Sequence, residues 1–414
     1  MAMEPDSEDF ELTRAPGATE LFRVFRHRNY RLFFVGQLVS LMGTWMQSVA
    51  QGWLVYTLTH SPLLLGLTSF CGQVPVFFVS PFGGTISDRV DRRRMLIVTQ
   101  SLSMLQAAIL AVLTLTHEVR VWHVLVLALS MGLINAFDVP TRQAFTMEMV
   151  GRADLRNAIA LNSIMFNLAR IFGPTAAGFL IAAAGEGVCF ALNAFSYGAV
   201  LAGLLMMNVV QRTRPIAEHP LRELKAGFVY GWSMRPIRVA LLLVAVSSCF
   251  GASYLALMPA FARDVLHQGS EGLGFLMASV GAGALCGAYA LSRLADRRLT
   301  ITPIAAAGSF GVCLIAFAHS HALVLSMLLL LPTAFSLMLL GGSTNTIIQL
   351  LSEDRMRGRI VALYAMAFMG MMPWGALILG TLASRWGVGN AVTIGGALVV
   401  LSAGYALRVS GIGG

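Results

Sequence analysis

Gly84-Thr85-Ile86-Ser87-Asp88-Arg89-Val90-Asp91-Arg92-Arg93-Arg94-Met95-Leu96 decides how the rest of the chain is read. It packs two acids and four arginines between apolar runs on either side. A charge at the centre of a bilayer costs about 2.5–3.5 kcal/mol even on lenient insertion scales, so such a stretch lies at a membrane surface.

Working outward, 57% of the 414 residues are hydrophobic and 12% charged, with a mean hydropathy of +0.73. A soluble chain carries about 25% charged residues. Apolar segments of about 20 residues, enough to cross about 30 Å of hydrocarbon as helix, recur from Leu32 to Leu407. Runs this long suit helices, which satisfy their own backbone in lipid, and not a barrel. The reading is an all-α membrane protein with spans at 32–56, 63–86, 95–116, 122–145, 157–184, 187–208, 237–261, 271–292, 301–318, 322–348, 358–383 and 388–408.

The net charge of +9 does not mark a nucleic-acid surface. With the N-terminus inside, 25 of the 29 basic residues fall in the tails and inner loops; Arg120, Arg263 and Arg385 lie outside and Arg170 within a span. This bias places both termini in the cytoplasm. The five cysteines fall inside spans, arguing against a disulfide framework or metal cluster. No cleavable signal is evident in the polar N-terminus.

The chain divides into a cytoplasmic tail (1–31), a six-helix bundle (32–208), a linker (209–236), a second six-helix bundle (237–408) and a short tail (409–414). In the linker, Leu221, Leu224, Phe228 and Trp232 share one helical face with Arg222 and Lys225 off it, the pattern of an amphipathic helix on the inner leaflet. The halves repeat: Gly66 precedes Asp88 by 22 positions, as Gly274 precedes Asp296. Leu155-Arg156-Asn157-Ala158 is echoed by Met356-Arg357-Gly358-Arg359, and each opens a long span with an internal proline, Pro174 and Pro373. Two bundles in parallel register imply a pseudo-two-fold axis along the membrane normal.

Gly84-x-x-x-Asp88-Arg89-x-x-Arg92-Arg93, with its degenerate copy at Asp296-Arg297, resembles the signature of the major facilitator superfamily. The likeness runs from Arg26 onward. It tightens over Asn157 to Ser163 and Leu168 to Gly178, where it is similar to the branch of enterobactin exporters and macrolide efflux proteins. Two departures stand out: Asp91 replaces the usual glycine, and span 4 lacks the intramembrane arginine of many proton-linked drug antiporters.

The resemblance implies that Asp88, at the end of span 2, reaches the free N–H groups at the start of span 11 near Arg357, and that Arg92 reaches an acid near span 4, Glu148. Such a latch holds the halves together at the cytoplasmic side. It implies a cavity lined by spans 1, 4, 7 and 10. Span 1 offers a polar stripe of Gln37, Ser40, Thr44, Gln47 and Gln51 at intervals of three and four, which faces protein or water. Span 4 adds Asn135, span 7 Ser247, Ser248 and Tyr254, span 10 Ser343, Thr344, Asn345 and Gln349, and span 11 Trp374. Helix packing competes with a cavity role for each of them.

Intramembrane charges are functional candidates. Asp138 sits four residues from Arg142, a local pair needing no function, and Arg170 is a cavity cation suited to an anionic or catecholate-like substrate or a structural partner for span 4. Gly173-Pro174 and Pro373 mark helix bends, and Gly178 allows close approach by a neighbour. There is no phosphate-binding loop, HExxH or zinc-spaced cysteine pair, so neither enzymatic work nor a cofactor is expected.

These features lead to a transporter working by alternating access in a bacterial cytoplasmic membrane, exporting an amphipathic siderophore or drug with a coupling proton or cation. A monomer in lipid is expected, with no nucleic-acid partner. An importer of a nutrient or metal complex and a non-transporting sensor or scaffold are the rival readings.

Overall fold

The computed structural model describes residues 22–87, 90–207, 220–294 and 301–410. The spans are Arg28–Thr59, Pro62–Ser87, Arg92–Leu115, Val121–Gly151, Asn157–Ala184 and Glu186–Met206 (spans 1–6), then Arg235–Val265, Ser270–Ser292, Thr302–Ala318, Leu323–Leu351, Asp354–Trp386 and Val388–Val409 (spans 7–12). Eleven are long and apolar enough to cross a membrane. Span 9, with 17 residues, is about 25 Å long. Antiparallel succession gives the molecule an arginine-rich face, where span 1 begins and spans 2 and 3 join, and a far face.

The two halves pack alike. Span 2 lies on span 4 and span 3 on span 6; span 8 lies on span 10 and span 9 on span 12. Glycines permit the closest of these contacts: a Cβ on Gly83 would fall 2.2 Å from the Ala136 carbonyl, and one on Gly283 2.3 Å from that of Leu331. The halves meet through two further pairs, span 2 with span 11 and span 5 with span 8.

At the far face the halves share one hydrophobic core, in which Tyr56 and Phe190 join Phe261 and Phe317. At the arginine-rich face the core separates. Phe33, Leu96, Phe145 and Leu204 pack within the first half, and Ile237, Ile348 and Ile360 within the second. Close approaches between halves run from the far face to mid-depth, where Phe77 of span 2 meets Gly370 and Ile171 of span 5 meets Gly281. Among the described residues, the halves are thus joined by a shared core at the far face and have separate cores at the other.

Two features differ from the reading of the sequence, the stretch between spans 4 and 5 and the course of span 7, and the two internal prolines act differently. The stretch 146–156 between spans 4 and 5 is helical apart from a sharp turn at Gly151 (φ 69°, ψ −177°), a backbone conformation open essentially to glycine. Burial of Phe145, Met149 and Val150 holds this extension against the first half. Pro174 leaves span 5 helical, whereas span 11 breaks between Asp354–Met369 and Met372–Trp386. Pro373 lacks the N–H that would continue the ladder, and its ring crowds the preceding turn. Span 7 is irregular, with π turns at Ser247–Gly251 and Phe261–Val265 around a 3-10 segment, Ala252–Leu257.

Within the linker, Pro220–Ser233 forms a helix that packs on spans 7 and 11 and touches span 2. Phe228 stacks on Trp232 at 5.5 Å, and both rings are exposed. The side chains of Leu221, Arg222, Leu224 and Lys225 lie outside the described set.

Candidate functional site

At the arginine-rich face, Arg92 opens span 3 and places Nη1 2.5 Å from Glu148 Oε1 on the extension of span 4. The side chains are 7% and 14% exposed, so this is a buried ion pair. Arg93 donates from Nε and Nη2 to the carbonyls of Leu204 (2.7 Å) and Leu205 (2.9 Å), closing the end of span 6. Asp91 caps span 3, its carboxylate accepting from the N–H groups of Arg93 and Arg94. Asp88, Arg89, Asp296 and Arg297 lie outside the described residues, and Gly84 falls within the span 2 helix. Arg357, the other end of the expected latch, engages its own half: Asp354 at 2.6 Å and the Gln349 carbonyl at 3.2 Å.

The polar stripe of span 1 divides. Gln37 accepts from Arg142 Nη1 at 3.0 Å, while its Nε2 finds no acceptor among the described residues. Thr44 shares a hydrogen bond with Tyr197 of span 6 at 3.2 Å. Gln47 is buried between spans 3 and 6, donating to Gln106 Oε1 (3.0 Å) and accepting from Asn193 Nδ2 (2.7 Å). Thr44 and Gln47 therefore turn into the first half. Gln51 and Asn135 are partly buried.

Asp138 is 3% exposed and also turns inward: Oδ1 accepts from Thr99 (2.7 Å) and Gln100 (2.8 Å) of span 3. Arg142 stands 3.8 Å from Oδ2, so one guanidinium lies between the carboxylate and span 1. Trp374 meets Phe70 of span 2 edge-on at 5.0 Å, in the joint between halves.

Mid-depth between the halves the chemistry changes. Arg170 on span 5 is partly buried, and no hydrogen bond or ion pair engages its guanidinium among the described residues. It lies within electrostatic reach of the Tyr254 hydroxyl on the irregular part of span 7. Among the described residues that hydroxyl is buried without a partner, as are those of Ser247, Ser248 and Thr344 and the amide oxygen of Asn345. Each such group carries a desolvation penalty of about 1–3 kcal/mol. The backbone here is itself broken: Ser253 donates to the carbonyls of Ser248 (3.1 Å) and Met372 (2.9 Å), pinning the irregular turn of span 7 to the break in span 11. Helix breaks at mid-membrane are where transporters place solute sites.

Two clusters had no signal in the sequence reading. Asp154, 7% exposed, lies 2.9 Å from His27 Nε2 and 3.4 Å from Arg23 Nε, tying the approach to span 1 onto the turn after Gly151. At the far face, Tyr56 donates to Asp264 and Arg263 to Thr57, across the halves. A polar pair at the end of a span shows neither its partner nor its depth.

Residues 19–410 match the family described as transmembrane secretion effectors. The staphyloferrin A transporter of Staphylococcus aureus is 26% identical over 375 residues, covering 88% of this chain and 92% of that protein. The multidrug efflux pump Tap of Mycolicibacterium fortuitum is 26% identical over 86% of this chain and 90% of its own length. An enterobactin exporter of Shigella boydii is 26% identical over 65% of this chain and 64% of its own length. Among solved structures, a bacterial homologue of the human lysosomal transporter Spinster, inward-facing and unoccupied, superposes with a TM-score of 0.73 at 12% identity, covering 95% of this chain and 98% of that one; this likeness concerns the fold alone. With repeated six-helix halves, broken mid-membrane helices and a family match over nearly its whole length, the chain belongs to the major facilitator superfamily, in the transmembrane secretion effector family, and is a transporter and not an enzyme.

Proposed function

We propose that this protein exports an anionic, oxygen-rich organic chelator of the siderophore class across a bacterial cytoplasmic membrane. The arginine-rich face is cytoplasmic on the positive-inside bias, and the conformer described is then open to the cytoplasm. Its bundles (32–208 and 237–408) rock about a central site, joined by the linker at 209–236. Arg170 carries the reading. A guanidinium partly out of water and without a counter-ion is costly, and an anionic solute held between the halves supplies the missing charge. The buried hydroxyls of Ser247, Ser248, Tyr254 and Thr344 and the amide of Asn345 suit the polar rim of such a solute. Gln37, Gln51 and Asn135 complete the cavity from the first half. The names of the staphyloferrin A and enterobactin relatives support the same class.

Export against a gradient is driven by an inward flow of protons or another cation. Asp88, Asp296 and the start of span 11 close the cytoplasmic side when the far face opens, with Arg92 and Glu148 bracing the loop. The protein works as a monomer.

Proteoliposomes with a defined protein orientation and an imposed proton gradient test the reading. Labelled siderophores of carboxylate and catecholate types move from the arginine-rich face to the far face, and Arg170→Gln lowers the apparent affinity for them about tenfold or more, while a neutral amphipathic dye loses little. Movement in the opposite sense makes the protein an importer. Equal losses for anionic and neutral solutes make Arg170 structural and favour a broad drug-efflux role, as in the Tap relative.

A further inference from the structure

Among the described residues, two hydrogen bonds join the halves at the far face, and they come from neighbouring residues on each side. Tyr56 and Thr57 end span 1, and Arg263 and Asp264 lie near the end of span 7, the corresponding helix of the other half. The Tyr56 hydroxyl donates to Asp264 Oδ2, and Arg263 Nη1 donates to Thr57 Oγ1 at 3.4 Å. The two donors point in opposite directions across the joint, so the pairs cross-brace it.

Local structure presents both sides. His60 ends span 1 in the left-handed conformation (φ 49°), and its N–H returns to the Tyr56 carbonyl at 2.8 Å. Its ring stands edge-on to Tyr56 at 6.0 Å. Tyr56 is 1% exposed, so its ring is fixed by packing while its hydroxyl reaches the opposite half. Asp264 and Arg263 sit in the π turn Phe261–Val265, which closes by a bond from the Leu266 N–H to the Phe261 carbonyl at 3.1 Å. The Asp264 carboxylate is exposed, so holding it in this pair entails little desolvation.

We propose that Tyr56–Asp264, braced by Thr57–Arg263, is a far-face clasp that must release before this transporter opens to that side. A hydroxyl bonded to a carboxylate is a charge-assisted bond, stronger than a neutral one. It exists only while spans 1 and 7 touch, so its whole free energy biases the molecule toward the conformer closed at the far face. Apolar contacts such as Gly52 against Pro259 beneath it close the joint but carry no comparable directional bond.

The test needs no substrate, so its outcome is independent of the transport reading. Spin labels at Glu118 and His321, on far-face loops of the two halves, report the gap in full-length protein in nanodiscs after serine replaces the accessible native cysteines. Tyr56→Phe and Asp264→Ala are each expected to raise the open-to-closed ratio about tenfold. The double variant is expected to match the singles, because both remove the same bond. Thr57→Val gives a smaller shift in the same direction. Unchanged distances in Asp264→Ala, an exposed side chain whose replacement spares the core, overturn the clasp. Fully additive effects of Tyr56→Phe and Asp264→Ala overturn the pairing.

Discussion

Gly178 of span 5 and Gly274 of span 8 touch backbone to backbone: a Cβ on Gly178 would fall 2.4 Å from the Gly274 Cα. The counterpart contact joins Gly66 of span 2 to span 11, where a Cβ would lie 2.2 Å from the Ala376 carbonyl. Gly66 and Gly274 are the two glycines standing 22 residues before Asp88 and Asp296. The sequence repeat therefore marks two of the places where the bundles press together at the far face. Gly178→Val should keep the far face from closing. Overpacking of this kind costs about 1–3 kcal/mol, so the closed conformer should lose about tenfold or more in population. Spin-label distances between far-face loops should lengthen while the helical signal persists. A closed far face in Gly178→Val would show that the joint can yield without cost.

Asp91 stands where the resemblance leads one to expect glycine, and the structure gives it a local task. Its carboxylate accepts from the N–H groups of Arg93 and Arg94 and lies 3.4 Å from the Arg94 side chain. Asp91→Ala should lower the stability of the first half by about 1 kcal/mol, and Asp91→Gly by only a few tenths, since glycine also serves as an N-cap. Thermal unfolding of the purified variants measures the difference. A larger loss for glycine than for alanine would assign Asp91 a role beyond the cap.

The fold was legible because insertion into a bilayer is nearly a one-dimensional problem. Where charges sit along the chain fixes where each helix must stop, and the stretch from Asp88 to Arg94 could lie nowhere but at a surface. The site was less legible because intervals of three and four identify a helix face without saying what that face meets. Gln37 and Gln47 belong to one stripe, yet Gln37 pairs with Arg142 and Gln47 with Gln106 and Asn193. The irregular backbone of span 7 has no pattern of its own in the sequence. Pro373 foreshadowed the break in span 11, whereas Pro174 stands inside a continuous helix, because a proline removes one bond but neighbouring packing decides whether the helix continues. Tyr56 and Asp264 are 208 residues apart, beyond any reading of local spacing.

Gln47 separates a solute site from a packing role. Both ends of its amide are held inside the first half, and the residue is 5% exposed. Gln47→Leu would strand the Asn193 amide donor and the Gln106 oxygen, a loss of about 1–3 kcal/mol for each buried group left unmatched. The melting temperature should fall, while KM for a transported siderophore should stay within about twofold of wild type, because uniform solute binding is untouched. A raised KM with unchanged stability would place Gln47 in the solute path.

Arg92 and Glu148 allow the same separation at the arginine-rich face. Their ion pair lies wholly within the first half and is nearly buried, so its free energy acts on the integrity of that half whichever way the halves rock. Arg92→Met leaves the Glu148 carboxylate buried without its cation and should destabilise by about 3–5 kcal/mol. Glu148→Gln should destabilise less, because Arg92 has further interactions in the structure and a neutral amide can still accept from it. The double variant Arg92→Met/Glu148→Leu should recover much of the loss of Arg92→Met, since it removes the stranded charge along with its partner. Thermal unfolding of all three in one detergent gives the ranking. A double variant less stable than Arg92→Met alone would mean that the pair contributes net stability, not merely mutual neutralisation.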